Sequence, residues 1–201
     1  PDKARVITLT EPSIAENTYI VISGSKAAVI DPGADIETIK SEVSKAGAEI
    51  ASVLLTHGHY DHIASAKRLD AKIYAHENER PLLENPAINM SAYAKSGPVA
   101  LDKAVYLDGE KANADGFVFY HTPGHTSGSC VIKYGDLLFT GDTLFLDTVG
   151  RTDLPTGDPR AMKESLKVFG SFDCDIMCYP GHGSPFKLKD AYRVNYFLRA
   201  K

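Results

Sequence analysis

Short apolar runs separated by turn residues occur in both halves of the chain, and this pattern is typical of β-strands. In the first half, the runs predict strands at 5–9, 18–22, 26–30, 51–55 and 72–75. In the second half, they predict strands at 105–107, 117–121, 130–134, 137–140 and 175–179. The sequence Ser23-Gly24-Ser25 between two of these runs predicts a β-hairpin.

Apolar residues at helical spacing predict helices between the strands. Ile36, Ile39 and Val43 follow Asp35, a good N-cap residue, and Gly47 ends this first helix. Further helices are predicted at 61–69, at 77–84, from Asp158-Pro159 to Gly170, and at 188–199. Residues 85–100 show no strong period and predict a long loop. Two strand-rich halves with helices outside predict a layered α/β sandwich.

The composition is that of an ordinary globular protein. A length of 201 residues, 43% of them hydrophobic and 24% charged, predicts one domain with a substantial core. The formal net charge of −4, without a run of like charge, indicates neither nucleic acid nor an anionic membrane surface as a partner. We see no signal peptide and no apolar stretch of about 18 residues that could span a membrane. The sequence does not indicate an oligomeric state.

The three cysteines do not indicate a disulfide framework. Cys174 and Cys178 lie four positions apart in the segment 172–179, which contains a predicted strand, and Cys130 lies in another strand. We therefore expect buried, reduced thiols and a reducing compartment, the cytoplasm.

The segment 56–62, Thr-His-Gly-His-Tyr-Asp-His, follows a predicted buried strand and places four potential metal ligands within six positions. A helix could not direct His57, His59, Asp61 and His62 to one point, whereas a loop at the end of a strand can. A mixture of imidazole and carboxylate suits a divalent transition ion such as zinc or iron. The alternative interpretation is a polar surface loop that is rich in histidine.

Three later turns, which contain His125, Asp142 and His182, each place one more potential ligand beside a glycine. Glycine lets the backbone turn sharply and approach a crowded centre. A lone histidine is more often structural than a ligand, but together with the segment 56–62 these residues make seven ligands, which is sufficient for two ions. We expect Ser127 and Ser129, in the first of these turns, to hydrogen-bond the turn itself.

The order of these ligands, His-x-His-x-Asp-His followed by His, Asp and His, resembles the metallo-β-lactamase superfamily over nearly the whole chain. The resemblance implies an α/β fold, the four-layer αββα sandwich, with metals at one edge. It implies one ion on His57, His59 and His125, a second ion on Asp61, His62 and His182, and Asp142 as the bridging ligand. It implies no ligand role for His121, which we expect either to support a ligand from outside the metal site or to be structural, or for His76, which we expect at the surface.

Within the superfamily, residues 121–129 and 150–155 resemble the glyoxalase II-like hydrolases, and persulfide dioxygenases share much of this pattern. Residues 85–91 are similar to an insertion in that group. Full-length glyoxalase II has an additional C-terminal helical domain, whereas one predicted helix follows His182 here. We therefore expect residues 1–201 to form a single domain without that addition. The residue at position 142 is an aspartate and not a histidine, and no ligand position holds a cysteine. Both features argue against a true β-lactamase.

The resemblance implies two divalent metal ions, with zinc favoured over iron, and hydrolysis of a small thioester such as S-lactoylglutathione. A hydroxide bridging the ions would attack the carbonyl, and Asp61 would act as the catalytic residue that ligates an ion and orients the hydroxide. The thiolate leaving group, with a pKa of about 8.5, needs little help from a general acid. Arg151 is the expected contact for an anionic part of the substrate, unless Asp153 or Asp147 pairs with it.

Other functions fit the same residues. One iron held by His57 or its neighbours, His125 and Asp142 could oxidise a persulfide with dioxygen, because a three-ligand site leaves open positions. Hydrolysis of a lactone or another ester is a further alternative. The non-enzymatic alternative is a metal-stabilised binding module, although seven ligands exceed what a closed four-coordinate site needs.

Overall fold

The computed structural model describes residues 4–199, which divide into two compact units. Unit 1 contains the described residues up to Ala75 together with Arg80–Tyr106, and unit 2 contains His76–Glu79 together with the described residues from Leu107 onward. Within residues 4–199, no helix has both the length and the apolar character that crossing a membrane requires. A single domain over residues 1–201 stays a prediction.

The sheet of unit 1 has the strand order β1-β2-β3-β4-β5-β6. Its strands are Arg5–Glu11 (β1), Glu16–Ser23 (β2), Lys26–Ile30 (β3), Glu49–Leu54 (β4), Lys72–His76 (β5) and Ala104–Leu107 (β6). Strands β1 to β3 pair antiparallel, whereas β3, β4 and β5 pair parallel. Because Ile30 of β3 lies opposite Leu54 of β4, the residues that follow these two strands lie at the same edge of the sheet.

Helix α1 (Ile36–Lys45) confirms the predicted amphipathic helix. The side chain of Asp35 accepts a hydrogen bond from the Thr38 amide at 3.0 Å, as expected of an N-cap. Its buried residues Ile36, Ile39 and Val43 pack into the apolar core of unit 1 with residues of the sheet. The other helical segments of unit 1 are α2 (Tyr60–Ile63), α3 (Arg80–Glu84) and the 3-10 turns Ala66–Leu69 and Ser91–Tyr93.

Two helices predicted in unit 1 are shorter than expected. The helix predicted at 61–69 is divided into α2 and a 3-10 turn, which ends at Asp70 with a φ of 51°. The helix predicted at 77–84 consists of the 3-10 turn Glu77–Glu79 followed by α3, where Pro81 has no amide hydrogen for a continuous helical ladder.

The loop predicted at 85–100 is held to unit 1 by a buried asparagine. The Asn89 side-chain amide donates hydrogen bonds to the carbonyls of Leu82 and Val99, both at 2.9 Å. The Asn89 carbonyl accepts from the amide of Tyr60, a residue of the histidine-rich segment, at 2.9 Å. The loop therefore contacts the start of α2 through its backbone.

The sheet of unit 2 has the order β12-β11-β10-β9-β8-β7. Its strands are Lys111–Ala114 (β7), Phe117–His121 (β8), Cys130–Tyr134 (β9), Leu137–Gly141 (β10), Met177–Pro180 (β11) and Phe186–Lys187 (β12). Both β8 and β10 pair antiparallel with β9, and β10 pairs parallel with β11. The C-terminal ends of β8, β10 and β11 therefore lie at one edge of this sheet.

The helical segments of unit 2 that follow Glu79 are α4 (Pro159–Ser165), the 3-10 helix Leu166–Ser171, α5 (Leu188–Val194) and α6 (Tyr196–Arg199). Asp158 is the N-cap of α4, as predicted, and Pro159 is its first residue. Met162, Leu166 and Phe169 pack into the apolar core of this unit.

Several predictions for unit 2 need correction. Strands β7 and β12 were not predicted, because the first has the weakly apolar sequence Lys-Ala-Asn-Ala and the second has two residues. The strand predicted at 175–179 begins later, at Met177, since Asp173 forms a turn by accepting from the Asp175 amide at 2.8 Å. The helix predicted at 188–199 is interrupted at Asn195, where ψ is 111°.

Candidate metal centre

In unit 1, the histidine-rich segment places its potential ligands where β4 ends and α2 begins. The ring centroids of His57 and His59 are 4.9 Å apart, and those of His57 and His62 are 4.1 Å apart. All three histidines are buried. The Asp61 carboxylate lies in the first turn of α2, with its Oδ2 3.5 Å from His62 Nε2. Unit 1 therefore brings together the four ligands that the sequence predicts for this segment.

Asp31, which the sequence analysis did not assign to the site, connects these ligands to the end of β3. Its Oδ1 accepts from the Thr56 amide at 2.8 Å, and its Oδ2 accepts from the Thr56 hydroxyl at 2.6 Å. The same Oδ2 lies 3.0 Å from His62 Nδ1. The signal available in the sequence was that Asp31 directly follows a predicted strand. The structure shows that this strand pairs parallel with the strand before His57.

These contacts fix the tautomers of two histidines. The carboxylate of Asp31 can only accept, so His62 Nδ1 donates to it and His62 Nε2 carries a lone pair. The Thr56 hydroxyl hydrogen is used on Asp31, so its oxygen accepts from His57 Nδ1 at 3.2 Å. Both neutral rings therefore carry their lone pair on Nε2, the arrangement expected of metal-ligating histidines whose other ring nitrogen is held by an outer hydrogen bond.

Gly33 allows a second buried carboxylate to approach the segment. A Cβ at this position would lie 1.7 Å from the Asp61 carbonyl oxygen and 2.4 Å from Glu16 Oε2, so only glycine fits. Glu16 is buried, and its Oε1 lies 3.9 Å from His62 Nδ1. Burial raises the pKa of the Glu16 carboxyl well above its usual value, an effect that His62 opposes and that Asp31 and Asp61 reinforce.

Unit 2 brings together the other three predicted ligands at the shared edge of β8, β10 and β11. Asp142 Oδ2 lies 3.4 Å from His125 Nε2 and 3.5 Å from His182 Nε2. The backbone explains this placement, because Gly141 pairs with Pro180 and its carbonyl accepts from the Gly181 amide at 2.8 Å. Asp142 and His182 therefore follow two parallel strands that end together.

The segment that contains Gly150 and Arg151 orients His125. The Arg151 carbonyl accepts from His125 Nδ1 at 2.7 Å, which leaves His125 Nε2 with its lone pair towards Asp142. A Cβ on Gly150 would lie 1.8 Å from the Asp142 carbonyl oxygen and 3.0 Å from His125 Nδ1. The absence of a side chain at position 150 thus permits this arrangement.

The donor set and its spacing fit a divalent metal ion. The three nitrogen–oxygen distances between neighbouring ligands, two at Asp142 and one between Asp61 and His62, are 3.4 to 3.5 Å. These distances exceed those of most hydrogen bonds, about 2.7–3.2 Å. Two ligands bound tetrahedrally through bonds of about 2.1 Å lie about 3.4 Å apart. In unit 1, ligand atoms of Asp31, His57 and His62 also lie within 4.8 Å of one another.

Arg151, the predicted anion contact, forms a bidentate ion pair with Asp153. Arg151 Nε donates to Asp153 Oδ1 at 2.7 Å, and Nη2 donates to Oδ2 at 2.9 Å. These hydrogen bonds lower the pKa of the Asp153 carboxyl to about 2. The pair is exposed. The structure therefore contains the alternative considered for Arg151, an ion pair with Asp153.

The turn that carries His125 depends on Glu79, a residue that the sequence analysis missed. Glu79 is buried, and its Oε2 accepts from the Thr126 hydroxyl and the Gly128 amide, both at 2.9 Å. The prediction that the serines bond the turn itself is confirmed for Ser129, whose Oγ accepts from the Thr126 amide at 3.1 Å. Ser127 Oγ instead donates to the Asn78 carbonyl at 2.8 Å, outside the turn.

His76 is buried, so the prediction of a surface residue is wrong. Its ring stacks on His121 with 3.7 Å between centroids and an interplanar angle of 7°. His76 Nε2 bonds the Gly109 carbonyl at 3.1 Å, and His121 Nε2 bonds the Ser127 carbonyl at 2.8 Å. The stack thus places His121 in the structural role predicted for it.

The cysteines agree only in part with the prediction. All three are free, and Cys130 and Cys178 are buried, but Cys174 is exposed because it precedes β11. Burial raises the pKa of the Cys178 thiol to about 12 and that of Cys130 well above its usual value. The buried thiols are therefore inert. A cytoplasmic location stays a prediction.

Comparison with known proteins identifies the relatives of this chain. A sequence model of the metallo-beta-lactamase superfamily matches residues 14–182. The hydroxyacylglutathione hydrolase GloC of Haemophilus influenzae is 32% identical over 187 residues, which is 87% of this chain and 88% of that protein.

Two solved structures are similar over almost their full lengths. TTHA1623 in a di-iron-bound form has 32% identity and a TM-score of 0.86, and the alignment covers 96% of this chain and 100% of that chain. The B3 metallo-beta-lactamase BLEG-1 has 29% identity and a TM-score of 0.85, with 98% and 100% covered. The predicted α/β fold class, the four-layer αββα sandwich, is confirmed by these likenesses. They also support an enzyme with a site for divalent metal.

The Asp31→Asn substitution should lower metal affinity by about 10–100-fold, the usual effect of removing a group that orients a ligand. In Asp31 one carboxylate oxygen accepts from the Thr56 amide and the other accepts from the Thr56 hydroxyl and His62 Nδ1, whereas asparagine has only one acceptor oxygen and presents an NH2 group on the other side. One side of this network is therefore lost, and the orientation of the histidines is less well fixed. The measurement is chelator competition for zinc. Asp35→Asn is the matched control, because asparagine is an equally good N-cap. Unchanged affinity in Asp31→Asn would contradict this role.

The Gly150→Ala substitution should reduce both bound metal and stability. The added methyl group clashes with the Asp142 carbonyl, so the segment must shift at a cost of roughly 1–3 kcal/mol. Thermal unfolding and elemental analysis measure the two effects. Gly170→Ala is the control, because nothing lies within 4 Å of its Cβ position. Equal metal content and Tm for the two variants would show that position 150 tolerates a side chain.

Proposed function

This chain belongs to the metallo-β-lactamase superfamily, and we propose that it is a metal-dependent hydrolase of a small thioester similar to S-lactoylglutathione. The observation that carries the proposal is the ligand-like spacing around Asp142 Oδ2, with a histidine Nε2 at 3.4 Å and another at 3.5 Å. A hydroxyacylglutathione hydrolase among the relatives supports the thioester class.

The seven predicted ligands are proposed to hold two ions. His57, His59 and His125 would hold one ion, Asp61, His62 and His182 would hold the other, and Asp142 would be the ligand shared by both. Zinc is the favoured metal. Iron is the alternative, and a similar protein solved in a di-iron-bound form supports it. When bound, such ions supply Lewis-acid chemistry, because they polarise a carbonyl and lower the pKa of a coordinated water to about 7.

The residues of the chain have distinct roles in this proposal. The Asp61 carboxylate accepts a hydrogen bond from the attacking water and so directs it at the substrate carbonyl. In the neutral rings of His57 and His62 the lone pair is on Nε2, because Nδ1 of each ring donates its proton to Thr56 or Asp31. Water adds to the thioester carbonyl, the carbon–sulfur bond breaks, and the products are a carboxylic acid and a thiol.

A thioester needs less help from the protein than an amide does. Its leaving group is a thiolate whose conjugate acid has a pKa of about 8.5, so it departs near neutral pH without a strong general acid. The proposed partner is therefore a small-molecule thioester, and neither nucleic acid nor membrane is proposed. Hydrolysis of esters and lactones requires the same attack on a carbonyl, so these compounds should be assayed together with the thioester.

A metal count combined with S-lactoylglutathione hydrolysis tests the proposal. We expect about two zinc or iron ions per chain and turnover in the protein purified without added metal. His182→Ala and His59→Ala should each lose metal and at least about 100-fold of kcat/KM. His121→Gln is the control, since glutamine can still donate a hydrogen bond to the Ser127 carbonyl.

Other outcomes contradict the thioesterase proposal in defined ways. About one iron per chain, with oxygen uptake on a persulfide and no thioester turnover, would support the dioxygenase alternative. Two ions with turnover confined to lactones or to a β-lactam would assign the site to another carbonyl substrate. Full metal content in His182→Ala would remove that residue from the ligand set.

Arg151→Ala should raise KM for an acidic thioester by about tenfold with kcat little changed, because a charge-assisted hydrogen bond contributes about 1.5–3 kcal/mol. Asp153→Asn weakens the competing ion pair and should lower KM or leave it unchanged. A neutral thioester is the control substrate and should respond to neither change. An unchanged KM for the acidic thioester in Arg151→Ala would remove Arg151 from substrate binding.

A further inference from the structure

Unit 2 contains a four-residue segment, His76–Glu79, that lies earlier in the chain than the other described residues of the unit. We call this segment the clamp. It contacts the turn formed by residues 121–129, which we call the His125 turn after the predicted ligand that it carries. At the end of the clamp, the Glu79 carboxylate accepts from the Thr126 hydroxyl and the Gly128 amide, both at 2.9 Å.

The other contacts between the clamp and the His125 turn form a closed cycle through Ser127. The Ser127 hydroxyl donates to the Asn78 carbonyl at 2.8 Å, and the Ser127 carbonyl accepts from His121 Nε2 at 2.8 Å. His121 stacks on His76 with 3.7 Å between the ring centroids. His76 Nδ1 in turn accepts from the Asn78 amide at 3.2 Å, which closes the cycle. Each contact therefore supports the next, two residues away from His125.

Both ring nitrogens of His76 are occupied by backbone groups. Nε2 donates to the Gly109 carbonyl at 3.1 Å, because a carbonyl oxygen can only accept. Nδ1 accepts from the Asn78 amide, because an amide N–H can only donate. These contacts fit only the neutral ring, since a proton added at Nδ1 would face the Asn78 N–H without an acceptor.

The surroundings of His76 oppose its protonation. Burial lowers the pKa of this imidazole below its ordinary value of 6.5, and the neighbouring His121 ring lowers it further. The Gly109 carbonyl and the carboxylates of Glu77 and Asp108 act in the opposite direction without cancelling the shift. The stability that the neutral contacts provide is therefore complete above about pH 6.5, and it is lost as the pH falls through the lowered pKa of the folded protein.

We infer that His76 is a positioning residue for His125 that acts only in its neutral form, so that weakly acidic pH loosens the His125 turn and lowers its affinity for metal. Protonation of His76 breaks the contact with the Asn78 amide, and Ser127 then loses its support from the clamp. The step adds one proton from solvent to His76 Nδ1 and needs no other reactant. The inference rests on the ligand role of His125 in the proposed function and adds regulation of that site by pH.

Zinc affinity, measured by chelator competition between about pH 5 and pH 8 in the full chain, tests the inference. His76→Phe keeps a ring on which His121 can stack, but phenylalanine can neither accept from the Asn78 amide nor gain a proton. At about pH 8 we expect its zinc Kd to exceed the wild-type Kd by about fivefold, the effect of one lost hydrogen bond. The ratio should approach one as the pH falls, because the wild-type protein then loses the same contact. Protonation of the metal ligands affects both proteins and cancels in the ratio.

A second variant and a control separate this effect from a general loss of structure. Ser127→Ala opens the same cycle at an exposed hydrogen bond and keeps His76, so it tests the inference even where His76→Phe disturbs folding. Its Kd ratio should also approach one in acid. Asp115→Asn changes unit 2 outside the clamp and the His125 turn, and asparagine tolerates the φ of 49° at that position. Its ratio should stay at one at every pH.

An NMR titration of the zinc-loaded protein gives a readout that is independent of turnover. We expect His76 to take up its proton below about pH 6.5 and the amide signals of Ser127 and Gly128 to shift with the same midpoint. A Kd ratio that does not change with pH, or amide signals that do not follow His76, would overturn the inference.

Assay of thioester hydrolysis on the same proteins distinguishes failure of the clamp from failure of the proposed function. Kd ratios that depend on pH as expected, without turnover of any thioester, would support the clamp and overturn the proposed reaction. Thioester turnover together with a Kd ratio that stays constant would support the reaction and overturn the clamp.

Discussion

Parallel pairing of strands that each end in a functional turn is the constraint on which both ligand clusters depend. In unit 1, β3 and β4 end together, so Asp31 meets the residues that lead into His57. In unit 2, β10 and β11 end together, so Asp142 meets His182. Side chains far apart in sequence thereby reach hydrogen-bonding or ligand distance without a long loop to carry them. A shift in either register would separate the members of a cluster.

Around each cluster, hydrogen bonds from outside the ligand set fix the histidines before any ion binds. Asp31 and Thr56 hold two rings in unit 1, and the Arg151 carbonyl holds His125 in unit 2. This preorganisation has an electrostatic cost, because Asp31 and Glu16 are buried close to Asp61. A bound cation would compensate for that concentration of carboxylates, which agrees with the donor spacing and with the family of the chain.

The sequence predicts the ligand clusters better than the groups that support them. Predicted ligands such as His57 and His59 are close together in the sequence and chemically unusual, so local spacing indicates them. Asp31 and Glu79 act through contacts with residues 25 to 49 positions away, and each alone looks like an ordinary turn or helix-end carboxylate. His76 was misplaced for the same reason, since its burial depends on a ring 45 positions later. Helix propensity predicted long helices, but the helix predicted at 61–69 is divided between Ile63 and Ala66, and the helix predicted at 188–199 is divided at Asn195.

Glu79 also has a consequence for the order in which the protein can fold. The segment His76–Glu79 belongs to unit 2, although the rest of that unit begins only at Leu107. The turn that carries His125 is therefore completed by the Glu79 carboxylate, which lies nearly fifty residues earlier in the chain. Closing the loop between Glu79 and this turn has an entropic cost that contacts within the turn do not offset. We therefore expect the turn to reach its final form late in folding. A fragment that starts at Leu107 would have the β-strands of unit 2 but not the acceptor that holds this turn together.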